Sequence, residues 1–327
     1  MKKIDFVIPW VDHTDLKWQK DFNKYYSDKT GQDANFERYR DWGLLKYWFR
    51  GVEHCTPWVN KIHFITYGHV PEWLNINHPK INIVRHSDYI PAEFLPTFSA
   101  NPIEIFIHKI DGISKYFVYF NDDMYLLKKT SPNYFFKENL PCDISILNAL
   151  SPSGISHIIL NDLNALSKKF NKRSVMKNNI SKWFSIKYKE KLMRNILLLP
   201  WPSFTGFFDH HLPQPFLKET FEEVWNENSD ILLSTAQSKF RSISDVNQYL
   251  FRYWQLCKGN FHPKNFSDSK YFTLTDGNVS QITDYIYKRK KHIITINDSN
   301  IKKFPQISNK LNTSFNFIYP NKSTFEK

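Results

Sequence analysis

The run Ile4-Asp5-Phe6-Val7-Ile8-Pro9-Trp10-Val11 is apolar, of strand length, and stops at Asp12 and Asp15. A strand buried on both faces reads as a nearly continuous apolar run, and this one would deliver carboxylates to its C-terminal end. Four further segments read as strands: 61–67, 81–86, 115–120 and 292–296. Between 4–11 and 61–67 lies 37–55, with Trp42, Leu45, Trp48, Phe49 and Val52 at helical spacing, and 101–113 carries Ile103, Ile107 and Ile110 in helical register before Tyr116-Phe117-Val118-Tyr119-Phe120. Strand and helix therefore alternate. That alternation predicts an α/β fold, an open, mostly parallel sheet flanked by helices, in which ligands settle outside the carboxyl ends of the strands.

The middle of the chain differs. Residues 162–194 are rich in lysine and asparagine with helical spacing, and are expected to form a basic helical insertion or lid. Segments 216–226 and 244–257 also read as helices, the second with Val246, Leu250, Trp254 and Cys257 on one stripe. Linker signals are weak and no internal repeat stands out, so 1–327 is expected to form a single composite catalytic domain of Rossmann-like type.

Composition narrows the function classes. The three cysteines, Cys55, Cys142 and Cys257, are far apart with no C-x-x-C pair, which excludes a zinc ribbon or thioredoxin-like site and fits a reducing compartment. None of the nine glycines forms a G-x-G-x-x-G or G-x-x-x-x-G-K-[ST] cradle, so dinucleotide oxidoreductases and P-loop NTPases fall away. No stretch approaches the roughly 20 apolar residues that span a bilayer. Asp5, Pro9 and Asp12 interrupt the apolar region after Lys2 and Lys3, so the start reads as cytoplasmic rather than as a signal peptide. The balance of 44 Lys+Arg against 32 Asp+Glu, net +12, favours an anionic partner.

Asn121-Asp122-Asp123 follows the aromatic strand directly. Adjacent carboxylates at a strand's end can hold Mg²⁺ or Mn²⁺, hard cations that bridge to diphosphate oxygens. Alone, the tripeptide reads first as a strand-terminating turn that caps a following helix. His210-His211-Leu212-Pro213, next to Asp209 and just before the expected 216–226 helix, offers a base or acid for a hydroxyl proton, whereas adjacent histidines point apart and suit a metal poorly. Arg241, in Phe240-Arg241-Ser242-Ile243-Ser244-Asp245, could clamp a phosphate with its planar guanidinium, and Asp245 would sit near the start of the 244–257 helix.

Taken together these stretches resemble the Stealth family of hexose-1-phosphate transferases. Ile4 through Asp15 is similar to its first signature block, and Arg40-Asp41, Pro57-Trp58-Val59, Val70-Pro71-Glu72-Trp73-Leu74, Leu95-Pro96-Thr97-Phe98, Ile103-Glu104 and Phe120-Asn121-Asp122-Asp123-Met124 follow its second in order, over roughly 38–126. The third falls at His210-His211-Leu212-Pro213 and the fourth at Phe240-Arg241 with Asp245. Ile296-Asn297-Asp298 and Tyr319-Pro320 through Glu326 look like the closing segment.

The resemblance implies transfer of a sugar-1-phosphate from a UDP-sugar donor to a saccharide or polysaccharide hydroxyl, with release of UMP, in capsular or other cell-surface polysaccharide synthesis. It places Asp122 and Asp123, with Asn121, on a divalent cation, His211 as general base with His210 beside it, and Arg241 on the transferring phosphoryl. Asp12, Asp15, Arg40, Asp245 and Asp298 would line the donor site. The nearest rival is a metal-dependent glycosyltransferase, which releases UDP instead. Nucleic acid is not the expected partner, because the aromatics occupy strand and helix-stripe positions and the acidic strand end repels phosphate. Peripheral docking at the inner face of the membrane is expected through basic patches such as Lys288-Arg289-Lys290-Lys291.

Overall fold

The computed structural model describes residues 2–26 and 39–327. In chain order the first half runs β1 (Ile4–Pro9), α1 (Leu16–Tyr25), α2 (Leu45–Cys55), β2 (Ile62–Thr66), β3 (Ile81–Arg85), α3 (Ala100–Ile105), β4 (Tyr116–Tyr119), β5 (Met124–Leu126), β6 (Phe136–Lys137) and β7 (Leu140–Asp143). There follow α4 (Ser156–Ser167), α5 (Lys172–Asn178), α6 (Ile180–Trp183), α7 (Leu192–Leu198), β8 (Gln214–Leu217), α8 (Lys218–Ala236) and α9 (Gln248–Lys258). The chain ends with β9 (His262–Pro263), β10 (Ser269–Thr273), α10 (Val279–Tyr287), β11 (Ile293–Asn297) and α11 (Phe304–Ile318). Glu37 and Arg38, where the expected 37–55 helix and the second resemblance block begin, lie outside the described residues; the helix itself starts at Leu45.

The main sheet has the order β3-β2-β1-β4-β8, with the first four strands parallel and β8 antiparallel at the edge. Successive side chains of a strand face opposite ways, and each face has its own core. Ile4, Phe6 and Ile8 with Ile62, Phe64 and Val118 pack toward α2, α10 and α11. Val7, Ile65, Phe117 and Tyr119 pack the other way, among residues of α4, α8 and α9. Asp5 interrupts β1, yet its buried carboxylate accepts from Asn60 Nδ2 at 2.7 Å and the Ser114 amide at 2.7 Å and sits 3.1 Å from His63 Nε2. A buried charge is tolerated when it is paired and hydrogen-bonded, and this one ties β1 to β2 and to the approach to β4.

Three expectations are corrected. The 292–296 strand exists as β11 but lies in a second sheet, β10-β11-β5, antiparallel to β5. The expected 216–226 helix begins at Lys218, because Phe216 belongs to β8 and pairs with Phe117. The helix expected from residue 244 starts at Gln248, capped by Asn247. The 162–194 segment is helical, and Leu163, Leu166, Val175, Met176 and Trp183 bury their side chains in the α8–α9 core. The C-terminal stretch clasps the fold: Arg50 donates to both carboxylate oxygens of Glu326 at 2.7 Å and to Tyr319 O, while Phe325 is buried beside Phe49.

Candidate active site

The strand order dictates where a crevice must lie. The chain moves from β1 outward to β2 and β3, then crosses back to β4 on the other side of β1, so the topological switch falls between β1 and β4. Beyond the C-terminal ends of those two strands opens a cleft of about 1650 Å³, lined by Trp10 and Val11 after β1 and by Asn121, Asp122 and Asp123 after β4.

The acidic turn joins the two sheets. The Phe120 amide still donates to Val7 O at 2.8 Å, and three residues later the Ile296 amide of β11 donates to Asp123 O at 2.9 Å. Strand β5 follows, not a helix, so capping is not what these residues do. Asp122 opens into the cleft, and the enclosure there, reinforced by the negative charges of Asp123, Asp41 and Asp298, raises its carboxyl above the usual range. Asp123 Oδ1 is buried without a hydrogen-bond partner, a costly state for a carboxylate oxygen.

The histidine pair arrives from the neighbouring edge strand. The β4–β8 ladder ends with Tyr119 opposite Gln214, so the residues just before β8 run beside the acidic turn that follows β4. His211 adopts φ +43°, a region side-chain-bearing residues rarely occupy, and Thr295 Oγ1 holds its carbonyl at 2.8 Å. That bend sends the two imidazoles apart. His211 Nε2 lies 3.3 Å from Asp123 Oδ2; burial opposes its charge, but Asp123, Glu104 and Asp209 outweigh that and raise its proton affinity. His210 turns inward against Phe266, 3.4 Å from Asp143 Oδ1, and burial drives its pKa down to about 4.

Behind the pair stands a fully buried guanidinium. Arg252 bonds both oxygens of Asp143 at 2.9 Å, Asp209 Oδ1 at 2.6 Å, and the carbonyls of Ile144 and Phe208. Asp143 also accepts from Gln214 Nε2 at 2.9 Å, and Asp209 from Tyr253 OH at 2.7 Å. Burial raises the Asp209 carboxyl to about 6 despite Arg252, whereas Arg252 and His210 overcome the same burial at Asp143 and hold it well below the usual range. The 208–211 bend is thereby fixed from below.

Arg241 and Glu104 complete the opposite wall. Both line the cleft, and the Arg241 charge acts on Glu104 and on Asp245. Burial pushes Glu104 up to about 7, although Tyr119 OH donates to it at 2.9 Å and the Gln248 amide at 3.2 Å. Across the cleft Arg40 and Asp298 form a two-pronged pair at 2.9 and 2.7 Å, with Trp42 Nε1 also on Asp298 at 3.0 Å and the guanidinium over the Trp42 and Phe304 rings. Asn121, Asp122, Asp123, His210, His211, Arg241, Arg40 and Asp298 thus share one cavity.

Three candidates do not line it. Asp12 spends its carboxylate on the Thr14 amide and hydroxyl, Asp15 caps α1 through the Trp18 amide, and Asp245 is buried under the Arg241 loop, bonded to Ser238 Oγ, the Ser242 amide and Asn101 Nδ2. These carboxylates shape turns and a helix start. The basic patch expected at 288–291 is also engaged: Lys288 and Lys290 both pair with Asp284, Arg289 donates to Leu127 O and Ile318 O, and Lys291 to Ser267 O.

The second conserved region of the Stealth proteins matches residues 38–143, which include the acidic turn. Over its whole length the chain is 42% identical to the capsular polysaccharide phosphotransferase WcwK of Streptococcus pneumoniae, the 334 aligned residues covering 100% of this chain and 99% of that one. The chain belongs to the Stealth family. This Stealth protein is also 37% identical over 328 residues to the exopolysaccharide phosphotransferase cps2G of Lactiplantibacillus plantarum, covering 99% and 96% of the two chains. Among solved structures, the galactosyltransferase LgtC with donor and acceptor sugar analogues aligns over 94% of this chain and 95% of its own at 8% identity and a TM-score of 0.39, a likeness too loose to carry an argument.

Sequence reading of the Stealth chain passed over Asp143, Arg252 and Glu104 as site residues. Arg252 falls among the apolar residues of α9, and Glu104 follows Ile103 in a helix whose described residues 101–105 are all buried. A charge inside an apolar helix was the one available signal. No helix among the described residues is long and apolar enough to cross a membrane.

Proposed function

We propose that this protein moves a sugar-1-phosphate from a UDP-sugar to a saccharide hydroxyl, releasing UMP, in the synthesis of capsular or other cell-surface polysaccharide. The carrying observation is the meeting of His211 with Asp123 in the cleft that also holds Asp122, Arg241 and Glu104. Family membership and the phosphotransferase names of full-length relatives support phosphorus, not the anomeric carbon, as the centre attacked.

The donor set suits Mg²⁺ or Mn²⁺. Asp123 Oδ1 is buried and unpartnered, and Asp122 is crowded by other carboxylates, both conditions that a cation relieves. Among the described residues no three His, Cys, Asp or Glu side chains close into a cage; Mg²⁺ is commonly held by one or two carboxylates together with substrate phosphates and water. Bound there, with Asn121 beside it, the ion would neutralise charge on the diphosphate.

His211, its Nε2 on Asp123, takes the proton of the acceptor hydroxyl at its other ring nitrogen, Nδ1. The acceptor oxygen forms a bond to the sugar-bearing β-phosphorus, the β-phosphorus–oxygen bond to the α-phosphate breaks, and the electron pair leaves with UMP. Phosphoryl transfer demands in-line positioning and charge stabilisation more than a covalent nucleophile. Arg241 supplies a fixed positive charge for the transferring group, and Glu104 holds Tyr119 and the start of α9 in place behind it. The Arg40–Asp298 pair with Trp42 forms the far wall for the donor. Incubation with UDP-sugars, saccharide acceptor and Mg²⁺, followed by nucleotide chromatography, tests the reading: UMP supports it, and UDP supports a glycosyltransferase.

A further inference from the structure

Helix α7 divides its apolar residues between core and solvent, with Leu192 and Leu198 partly buried against the core. A surface helix normally buries its apolar stripe and exposes polar residues, but the one buried side chain of α7 is Asn195. Its Oδ1 accepts from the Leu147 amide at 2.6 Å, and its Nδ2 donates to Ser145 O at 2.8 Å and Trp183 O at 2.7 Å. Met193, Ile196 and Leu197, at helical spacing, point to solvent at 54, 48 and 65% exposure. Ile186, at 88%, stands before the helix, and Leu199 and Trp201 continue the exposed apolar series beyond it.

Exposed apolar residues gathered in one short segment point to an interaction site. Charge points to the partner: residues 172–201 hold eight Lys and Arg against a single acid, Glu190, and although Lys172 is buried on the carbonyls of Leu198 and Trp201 and Lys182 bonds Gly259 O, the other six remain. Lys187 and Lys189, on the turn into α7, line a second cavity of about 690 Å³ together with Lys129 and Lys137, and with Lys264, which donates to Tyr134 O and whose pKa burial lowers to about 7. Two acids stand beside that rim, Glu138, 3.7 Å from His262, and Asp268, which accepts from Tyr134 OH at 3.0 Å. An apolar stripe flanked by cations and ended by a tryptophan is the composition of an element that lies in a lipid interface.

We propose that α7 and its flanks dock this protein on an anionic phospholipid bilayer, with Ile186, Met193, Ile196, Leu197 and Trp201 at the headgroup–acyl boundary and the lysine-lined cavity facing the lipid phosphates. Lys191, one residue before α7, lines the catalytic cleft, so docking sets the edge of that cleft beside the membrane. This surface stands apart from the reaction and does not depend on its assignment.

Flotation of the full chain with vesicles of phosphatidylcholine alone, or with 30 mol% phosphatidylglycerol (a composition of about three anionic lipids in ten), tests it. The expected partition onto the anionic vesicles exceeds that onto neutral ones by about tenfold or more and weakens with salt. The double variant Ile196→Ser/Leu197→Ser, at solvent-facing positions, keeps its circular dichroism spectrum and loses about tenfold or more in partition. Lys187→Gln/Lys189→Gln loses more binding than Lys288→Gln/Lys290→Gln. Wild-type protein that stays unbound, serine-variant protein that floats like wild type, or a dimer in light scattering that the serine variant dissociates would each overturn the proposal, the last by assigning the face to a second copy.

Discussion

Replacing Arg252 with methionine tests whether the buried cluster beneath the histidine pair holds the 208–211 bend. The guanidinium is completely buried and makes bonds to Asp143, Asp209 and two carbonyls. Methionine fills comparable volume but leaves the Asp143 carboxylate in the interior with Gln214 Nε2, the Ile144 amide and His210 as remaining partners. Breaking a buried pair from one side costs about 3–5 kcal/mol. At roughly 2 °C per kcal/mol, the lower end of the range for large domains, the melting temperature should fall by about 6–10 °C. Adding Asp143→Asn removes the orphaned charge, so the double variant should recover part of the loss, a coupling that a double-mutant cycle measures. Thermal unfolding followed by circular dichroism, alongside turnover at a temperature where the variant stays folded, reads both consequences. A melting temperature within about 1 °C of wild type, or a double variant as unstable as the sum of the two singles, would refute the reasoning.

His211→Ala should lower kcat by about 10²–10⁴-fold, the range for a positioned acid or base, while donor binding measured by calorimetry changes little. Asp123→Asn should abolish turnover, and chelation by EDTA followed by Mg²⁺ should remove and restore the wild-type rate but not the variant's. His210 yields a pH prediction: its folded pKa of about 4 lies below the unfolded value of about 6.5, so its contribution to stability is complete above pH 6.5 and is lost as pH falls toward 4. Denaturant titrations should show wild type losing up to about 3 kcal/mol relative to His210→Gln over that interval; a constant difference between the two would refute it.

The parallel core was legible because strands buried on both faces announce themselves as continuous apolar runs, and the strand-end position of Asn121-Asp122-Asp123 followed from Tyr116 to Phe120. What stayed hidden was partnership. Residues 292–296 read as a strand, but periodicity carries no information about which strand lies alongside, so its place in the second sheet was unreadable. Strand β8 is four residues long and runs straight into α8, and its apolar Phe216 satisfied the helical pattern equally well. The polar network was hidden for the same reason: Arg40 meets Asp298 across 258 positions and Arg252 meets Asp143 across 109, distances that no local pattern spans. Asp12, Asp15 and Asp245 fall outside the cleft lining, and their place was unreadable because carboxylates that cap turns and helices have the same local signature as carboxylates that bind.

The most direct test of the chemistry follows one atom. With a UDP-sugar labelled at the β-phosphorus, saccharide acceptor and Mg²⁺, the label should appear in the saccharide product as a phosphodiester, with unlabelled UMP released. Label retained in UDP, with unlabelled sugar on the acceptor, would contradict attack at phosphorus in the Asp123–His211 cleft.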